Sequence, residues 1–306
     1  LERVRKTAAA LITLGLAALA LAGCSAGPSF AGQACSSKAT SSVLTNSVTV
    51  KGEFGKAPEV SFATPTKVQK SSVDDLITGT GSAITEKNQP IVIDVALYDA
   101  KTGQSLGSTS FDGSTQVADI NTWDGQLKTI GDALGCATAG SRLLVGFPAG
   151  TVAEGGAVAV VDVQKVFLPH AEGSLVYNDA LGLPTVVRAP DGRPGIIIPD
   201  AKKPAKQVTQ TLIRGTGAKV TKDDVLRVQL TSVDWDTRKV LKSTWDAQSV
   251  AISATGLEGQ TVGSQVLLVI PPADANQSTG ADGNGTQAIV VDILGVDTSA
   301  SLSSGQ

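Results

Sequence analysis

Few residues in this 306-residue chain are of the types that carry out covalent or metal chemistry. The chain has three cysteines and a single histidine, His170, and no cysteine or histidine lies at the spacing of metal ligands. Asp74 and Asp75 are adjacent, but two neighbouring acids alone do not make a general acid/base pair, and a solvated turn explains them. We therefore predict no metal site and no bound cofactor.

The first cysteine, Cys24, ends a segment with the composition of an export signal. Basic residues open the segment, and residues 8–20 are apolar but too short for a typical spanning helix. Small residues precede Cys24, so that the stretch 21–24 resembles a bacterial lipobox. We predict a lipid on Cys24 that tethers the exported protein to the outer face of the cytoplasmic membrane. The alternative is an ordinary signal peptide with a chance cysteine.

The other two cysteines, Cys35 and Cys136, remain to be assigned. An exported chain meets an oxidising compartment, where a pair of cysteines is expected to bridge. We predict a Cys35–Cys136 disulfide that pins the N-terminal arm onto the first domain. Two free buried thiols are the alternative.

The composition is that of a globular protein with 42% apolar and 17% charged residues. A formal net charge of -3 and a pI near 5.3 argue against a nucleic-acid partner, which requires a basic face. The length allows two domains of typical size, and we predict a monomer.

Three motifs occur twice in the same order, which indicates two divergent copies of one unit. LITGTG at 76–81 recurs as LIRGTG at 212–217, an offset of 217 − 81 = 136. AGSRLLV at 139–145 recurs as VGSQVLL at 262–268, and VVDV at 160–163 recurs as VVDI at 290–293. No long helix follows either GTG motif, so a phosphate-binding loop is not predicted.

The repeats and the composition together divide the chain. The predicted parts are a signal peptide (1–23), a Ser/Gly/Ala-rich linker (24–47), a first copy (48–168), an inter-domain linker (169–183), a second copy (184–298) and a disordered tail (299–306).

Within each copy the apolar residues mostly alternate, which predicts strands. Short helices are predicted near Thr129 to Cys136 and near Ser253 to Glu258. Many strands with one short helix per copy predict an α+β unit, a curved antiparallel sheet packed on a helix.

The stretch Gly256 to Pro272, GLEGQTVGSQVLLVIPP, combines a turn, a buried strand and a hard stop. It resembles the FKBP-type peptidyl-prolyl cis-trans isomerases, and the order of motifs around it is similar to tandem FKBP-type lipoproteins of the actinobacterial kind. The resemblance implies two tandem FKBP-like domains after a lipoprotein signal peptide. It also implies an isomerase that acts on proline-containing segments of exported proteins.

The resemblance places the pocket of such an enzyme on specific positions. In the second copy the early-strand tyrosine corresponds to Leu230, the Phe-Asp pair to Leu241 and Lys242, and the floor tryptophan to Ser253. The full sets of pocket positions are Leu230, Leu241, Val250, Ser253, Asn276 and Val291 in the second copy, and Val95, Leu106, Leu127, Ile130 and Val161 in the first.

Three hypotheses follow from these positions. The pocket aspartate, tryptophan and tyrosines are replaced, so the first hypothesis is an isomerase with weak catalysis, with the first copy inactive. The second is a non-catalytic peptide-binding or chaperone lipoprotein on the same fold, and the third a purely structural envelope protein. An open apolar pocket beside Leu230 favours peptide binding, and a filled one favours a scaffold. Trp235 and Trp245 line a peptide groove or pack on the sheet.

Overall fold

A computed structural model describes residues 27–36, 42–177, 180–274 and 285–298. This part of the chain is mostly β-sheet, with two α-helices and one short 3-10 helix. Among these residues no helix is both long enough and apolar enough to cross a membrane. The predicted signal peptide, Cys24, Asn276 and the predicted tail lie outside the described residues.

The first copy is built on a five-stranded antiparallel sheet with the order β5-β8-β9-β6-β7. One face of this sheet carries a two-stranded hairpin, and the other face carries a helix. The elements are α1 (Val43–Ser47), β3 (Val48–Lys51), β4 (Glu59–Phe62), β5 (Ser72–Ile77), β6 (Ile91–Asp99), β7 (Ser105–Ser108), α2 (Ile120–Leu134), β8 (Arg142–Phe147) and β9 (Ala157–Val166).

The second copy repeats this strand order as β13-β17-β18-β14-β15, with β10 added beside β13 and β16 paired to β14. A second hairpin, β11–β12, packs on one face of the sheet, as β3–β4 does in the first copy. The elements are β10 (Ser174–Leu175), β11 (Thr185–Arg188), β12 (Pro194–Ile197), β13 (Val208–Arg214), β14 (Val225–Asp234), β15 (Val240–Ser243), β16 (Val250–Ser253), β17 (Gln265–Ile270), a 3-10 helix (Pro272–Asp274) and β18 (Gln287–Asp297).

The predicted helices differ from the observed ones. Helix α2 begins at Ile120, well before Thr129, because the Asp119 side chain accepts a hydrogen bond from the Thr122 amide and caps the helix. The helix predicted near Ser253 to Glu258 is wrong, since β16 runs through Ser253 and a turn follows. Gly256 and Gly259 have φ angles of 77° and 83°, which a right-handed helix does not allow. Within the described residues the second sheet therefore packs on a turn rather than on a helix.

The predicted linker over 24–47 is partly an ordered arm. Strands β1 (Ser29–Phe30) and β2 (Gln33–Ala34) form a small hairpin, and α1 fills the end of the range. A disulfide joins Cys35 to Cys136 just after α2. Phe30 packs against the apolar cluster of the first copy. The described residues of this range are therefore structural elements of the first copy rather than a spacer.

The predicted linker over 169–183 also packs against the second copy. The Leu168 amide donates to Leu294 O (3.0 Å) and the Glu172 amide donates to Gly263 O (2.9 Å). Strand β10 then pairs with β13, so the segment lies along the second sheet. These contacts attach part of the described linker to the second copy, while residues 172–175 remain exposed.

Candidate functional site

Three of the predicted pocket residues of the second copy meet in one apolar cluster. Leu230 on β14 lies directly opposite Val291 on β18. Both side chains belong to the cluster on the face of the sheet away from the hairpin β11–β12, and Val250 packs against it. Since alternate residues of a strand share a face, the register of β14 and β18 brings these positions together.

Most described side chains of the cluster around Leu230 are almost fully buried. Leu230 and Val291 are only 4% and 2% exposed, and Leu257 and Ala254, from the turn after β16, complete the cluster at 1% and 0%. A pocket that takes a proline ring needs concave apolar space of at least a few hundred Å³. Two open cavities of about 540 and 580 Å³ lie elsewhere, beside α1 and beside Trp235 respectively, and neither is lined by a predicted pocket residue.

The other pocket positions of the second copy are not part of this cluster. Leu241, on β15, is 46% exposed. The pairing of Ser232 with Lys242 and of Val233 with Val240 leaves Leu241 as the extra residue of a β-bulge. Ser253 is half-buried, and its hydroxyl lies 3.1 Å from that of Thr255. Leu241 and Ser253 therefore lie outside the buried cluster, and their place in a pocket wall stays a prediction.

The first copy also has both buried and exposed pocket positions. Val95, Ile130 and Val161 are buried in the cluster beneath α2, and Leu127 packs against it. Leu106 lies outside that cluster and is 45% exposed. It is the extra residue of a bulge on β7, since Leu97 pairs with Gly107 and Tyr98 with Ser105.

Both tryptophans are mostly buried. Trp235 is 5% exposed and belongs to the cluster between the second sheet and the hairpin β11–β12. Trp245 is 7% exposed, and its indole N–H is buried with no hydrogen-bond partner among the described residues. The structure supports packing for both side chains, and Trp235 also lines the open cavity of about 580 Å³.

The first glycine of each GTG motif allows two backbone segments to approach each other closely. The Gly215 amide donates to Ser264 Oγ (3.0 Å), and Thr261 Oγ1 donates to Gly215 O (2.7 Å). A Cβ at position 215 would lie 2.2 Å from Val262 O, so glycine is required there. Gly79 makes the same contacts with Thr138 and Ser141 in the first copy. The repeated T-x-G-S sequence is the pattern from which this backbone contact could have been predicted.

Sequence reasoning missed a buried ion pair in the first copy. Arg142 on β8 and Asp162 on β9 are 1% and 0% exposed. Their side chains are 2.6 Å apart (Nε to Oδ1), and the guanidinium also donates to the carbonyls of Gly52, Glu53 and Lys56. The pair thus ties the loop of the hairpin β3–β4 to the sheet. The aspartate of the VVDV motif, a charged residue within an apolar strand, was the sequence feature that could have indicated this ion pair.

The second copy has an aspartate without the arginine. Gln265 replaces Arg142 and donates to Asp292 Oδ1 (2.8 Å), while the Ala171 amide donates to Oδ2 (2.8 Å). Burial raises the pKa of Asp292, and the two hydrogen bonds oppose that shift only in part. His170, next to Ala171, lies 3.6 Å from Glu86 of the first copy, and burial raises the pKa of Glu86 as well.

The raised pKa of Asp292 predicts a pH dependence of stability. In the folded state Asp292 retains its proton above its ordinary pKa of 3.8, while the unfolded chain releases it. The folded state therefore binds more protons, and the free energy of unfolding should fall as the pH rises from about 4 through the folded pKa. Urea unfolding between pH 4 and 7 measures this slope. The slope should shrink in Asp292→Asn, and an equal slope in that variant would contradict the assignment. Glu86→Gln serves as the control for the second raised carboxyl.

In the described part of the chain no group of three or more histidine, cysteine, aspartate or glutamate side chains is placed to hold a metal ion. The arrangement offers apolar packing, two exposed leucines and buried structural carboxylates.

Comparison with known proteins gives structural likenesses at low identity. No family model and no curated protein matches the chain. A peptidyl-prolyl cis-trans isomerase from Pseudomonas syringae pv. tomato is 14% identical over 31% of this chain and 74% of that one, with a TM-score of 0.26. The three FKBP domains of wheat FKBP73 are 14% identical over 74% of this chain and 94% of that one, with a TM-score of 0.31. FkpA from Escherichia coli is 21% identical over 39% and 53%, with a TM-score of 0.27. A multi-domain immunophilin from Arabidopsis thaliana is 16% identical over 31% of this chain, with a TM-score of 0.27, and this chain spans 43% of its length.

Proposed function

We propose that this chain is a polypeptide-binding protein made of two FKBP-like units that have little or no isomerase activity. One observation carries the proposal: each copy exposes one apolar pocket position on a bulged edge strand. The early-strand and last-strand positions are buried in apolar clusters, whereas Leu106 and Leu241 are exposed. Apolar side chains exposed at equivalent places in two diverged copies favour contact with another chain.

Isomerase activity requires open apolar space at the pocket positions. The barrier to rotation about a peptide bond is roughly 18–20 kcal/mol, and a catalyst lowers it by binding the twisted imide in a partly dry, apolar pocket. Val161 and Val291 are 0% and 2% exposed, so neither side chain offers an open apolar surface to a proline ring. The position that corresponds to the pocket aspartate carries Lys242, which reverses the charge at the pocket edge.

The isomerase hypothesis, supported by the motif order around Gly256 to Pro272, is tested by NMR exchange on an X-Pro peptide with the full chain. We expect exchange at the uncatalysed rate, with time constants of tens to hundreds of seconds. Lys242→Asp is a matched variant, because Lys242 is exposed and the change restores an acid without touching the core. It should also leave the exchange rate unchanged. Faster cis-trans exchange of the peptide in the presence of the native chain would contradict the proposal and support the isomerase hypothesis.

A purely structural protein is the second candidate, and the buried clusters favour it. It differs from a binding protein in one measurement, the titration of the full chain with an unfolded polypeptide. For a binding protein, shifts of the amide resonances beside Leu241 are expected. A spectrum that does not change would contradict polypeptide binding and favour the structural role.

We further propose that the protein acts as a monomer on exported, proline-containing polypeptides at the outer face of the cytoplasmic membrane. The lipobox-like residues 21–24 support a lipid on Cys24, and a disulfide is suited to an oxidising compartment. Mass spectrometry of the exported protein measures the lipid directly. Cys24→Ser should release the protein from membranes, and unchanged membrane binding would contradict the anchor.

A further inference from the structure

Strand β15 is an edge of the second sheet, and its outer side pairs with no strand in the described ranges. Four consecutive residues form what we call the β15 edge patch: Lys239, which precedes the strand, and Val240, Leu241 and Lys242 at its start. All four are exposed. An exposed strand edge is a template for other chains unless its side chains or its geometry prevent pairing.

The bulge determines how this edge can be used. Val240 and Leu241 are neighbours in sequence, yet they are 62% and 46% exposed, because the extra residue interrupts the alternation of the strand. A bulge also disrupts the ladder, so a long added strand would fit poorly. The patch therefore presents two adjacent apolar side chains, and a partner would be held mainly through side chains.

The charges around the patch are unbalanced. The neighbouring acids already have partners: Asp200 pairs with Arg238, Asp236 with Lys203 (2.5 Å) and Asp246 with Arg193 (2.7 Å). Lys239 and Lys242 form no ion pair with any described residue. Two free ammonium groups thus flank the apolar pair on a chain whose formal net charge is -3.

The first copy provides an internal comparison. Strand β7 has the same bulge, and Leu106 is as exposed as Leu241. The residues around Leu106 are Ser105 and Gly107, so this edge has neither the second apolar side chain nor the lysines. The combination of bulge, apolar pair and free cations occurs at β15 and not at the equivalent place in the first copy.

We propose that the β15 edge patch binds a short, extended acidic segment of another polypeptide, in which an apolar side chain lies between carboxylates. The apolar side chain packs on Val240 and Leu241, and the carboxylates pair with Lys239 and Lys242. This inference rests on the proposed polypeptide-binding function and adds the chemical class of the partner.

The test uses the full chain and two labelled peptides of about twelve residues. One peptide has a central leucine flanked by glutamates, and the other has lysines in place of the glutamates. Fluorescence anisotropy is expected to show binding of the acidic peptide, weakened by salt because exposed charges are screened. The double variant Lys239→Glu with Lys242→Glu should lose about tenfold in affinity, as expected for two exposed ion pairs. Leu241→Ser should weaken binding, and its matched control in the first copy, Leu106→Ser, should not.

The outcomes separate this inference from the proposed function. Equal affinity for both peptides, or equal effects of Leu241→Ser and Leu106→Ser, would overturn the acidic partner and leave polypeptide binding in place. Binding of neither peptide, together with no response to an unfolded polypeptide, would overturn both. All the substituted side chains are exposed, so unchanged thermal unfolding is expected and shows that each variant is folded.

Discussion

Replacing both Cys35 and Cys136 by serine is expected to lower the unfolding free energy of the first copy by about 4–5 kcal/mol. The disulfide closes a loop with a sequence separation of 101 residues, and cross-links of that length remove a large entropy from the unfolded chain. The bond also holds the arm whose Phe30 packs on the cluster beneath α2. Urea unfolding, monitored by the amide resonances of the first copy, measures the loss.

The control for this prediction is the native chain under reducing conditions, which should match the double-serine variant. The second copy should unfold at nearly its original urea concentration, because neither cysteine contacts it. A loss below about 1 kcal/mol would show that the arm stabilises the unit without the cross-link.

Arg142→Leu is expected to destabilise the first copy by about 3–5 kcal/mol, because it leaves the buried Asp162 carboxylate without its cation. The change also removes the donors to the carbonyls of Gly52, Glu53 and Lys56, which hold the hairpin loop. Urea unfolding at neutral pH measures the change, and hydrogen exchange of the β3–β4 hairpin reports its release.

The second copy supplies the matched variant for this experiment. Arg142→Gln reproduces the Gln265–Asp292 pairing, in which an amide donates to the carboxylate, and should cost less than the leucine variant. Arg193→Leu breaks an exposed pair and should cost about 0–1 kcal/mol. Equal losses in Arg142→Leu and Arg193→Leu would contradict the role assigned to the buried pair.

The two copies show how one strand order can be kept while its interior changes. Both have an aspartate at the same place on the central strand, Asp162 and Asp292, and both need donors for it. The first copy supplies an arginine, and the second supplies a glutamine and the backbone of the segment between the copies. In the second copy the aspartate therefore also fastens the preceding segment to the sheet.

The sequence predicted the strands well and the helices poorly. Strand patterns such as that of β14 depend on alternation, which is local, and the repeated motifs placed the same elements in both copies. The helix expected after Ser253 failed because Gly256 and Gly259 adopt positive φ, and composition does not show which glycines will do so. The start of α2 was missed because its cap, Asp119, precedes a polar stretch with little apolar periodicity.

The sequence predicted only part of the candidate site, because local patterns place residues on strands but do not show how distant side chains pack. Leu230 and Val291 were placed on two strands by motif order, and strand register then made them neighbours. The burial of their cluster depends on side chains distant in sequence, such as Leu257. No local sequence pattern indicates such long-range packing. The exposure of Leu241 depends on a bulge, one extra residue that alternation alone does not reveal.

The sequence by itself determined the duplication, the β-rich character of each copy and the glycines of the GTG motifs, because these follow from local periodicity and repeated motifs. Only the tertiary structure decided that Leu230 and Val291 are buried, that Arg142 and Asp162 are buried together, and that two leucines remain exposed. These features depend on contacts between residues far apart in the chain, and packing of that kind is set by the whole fold.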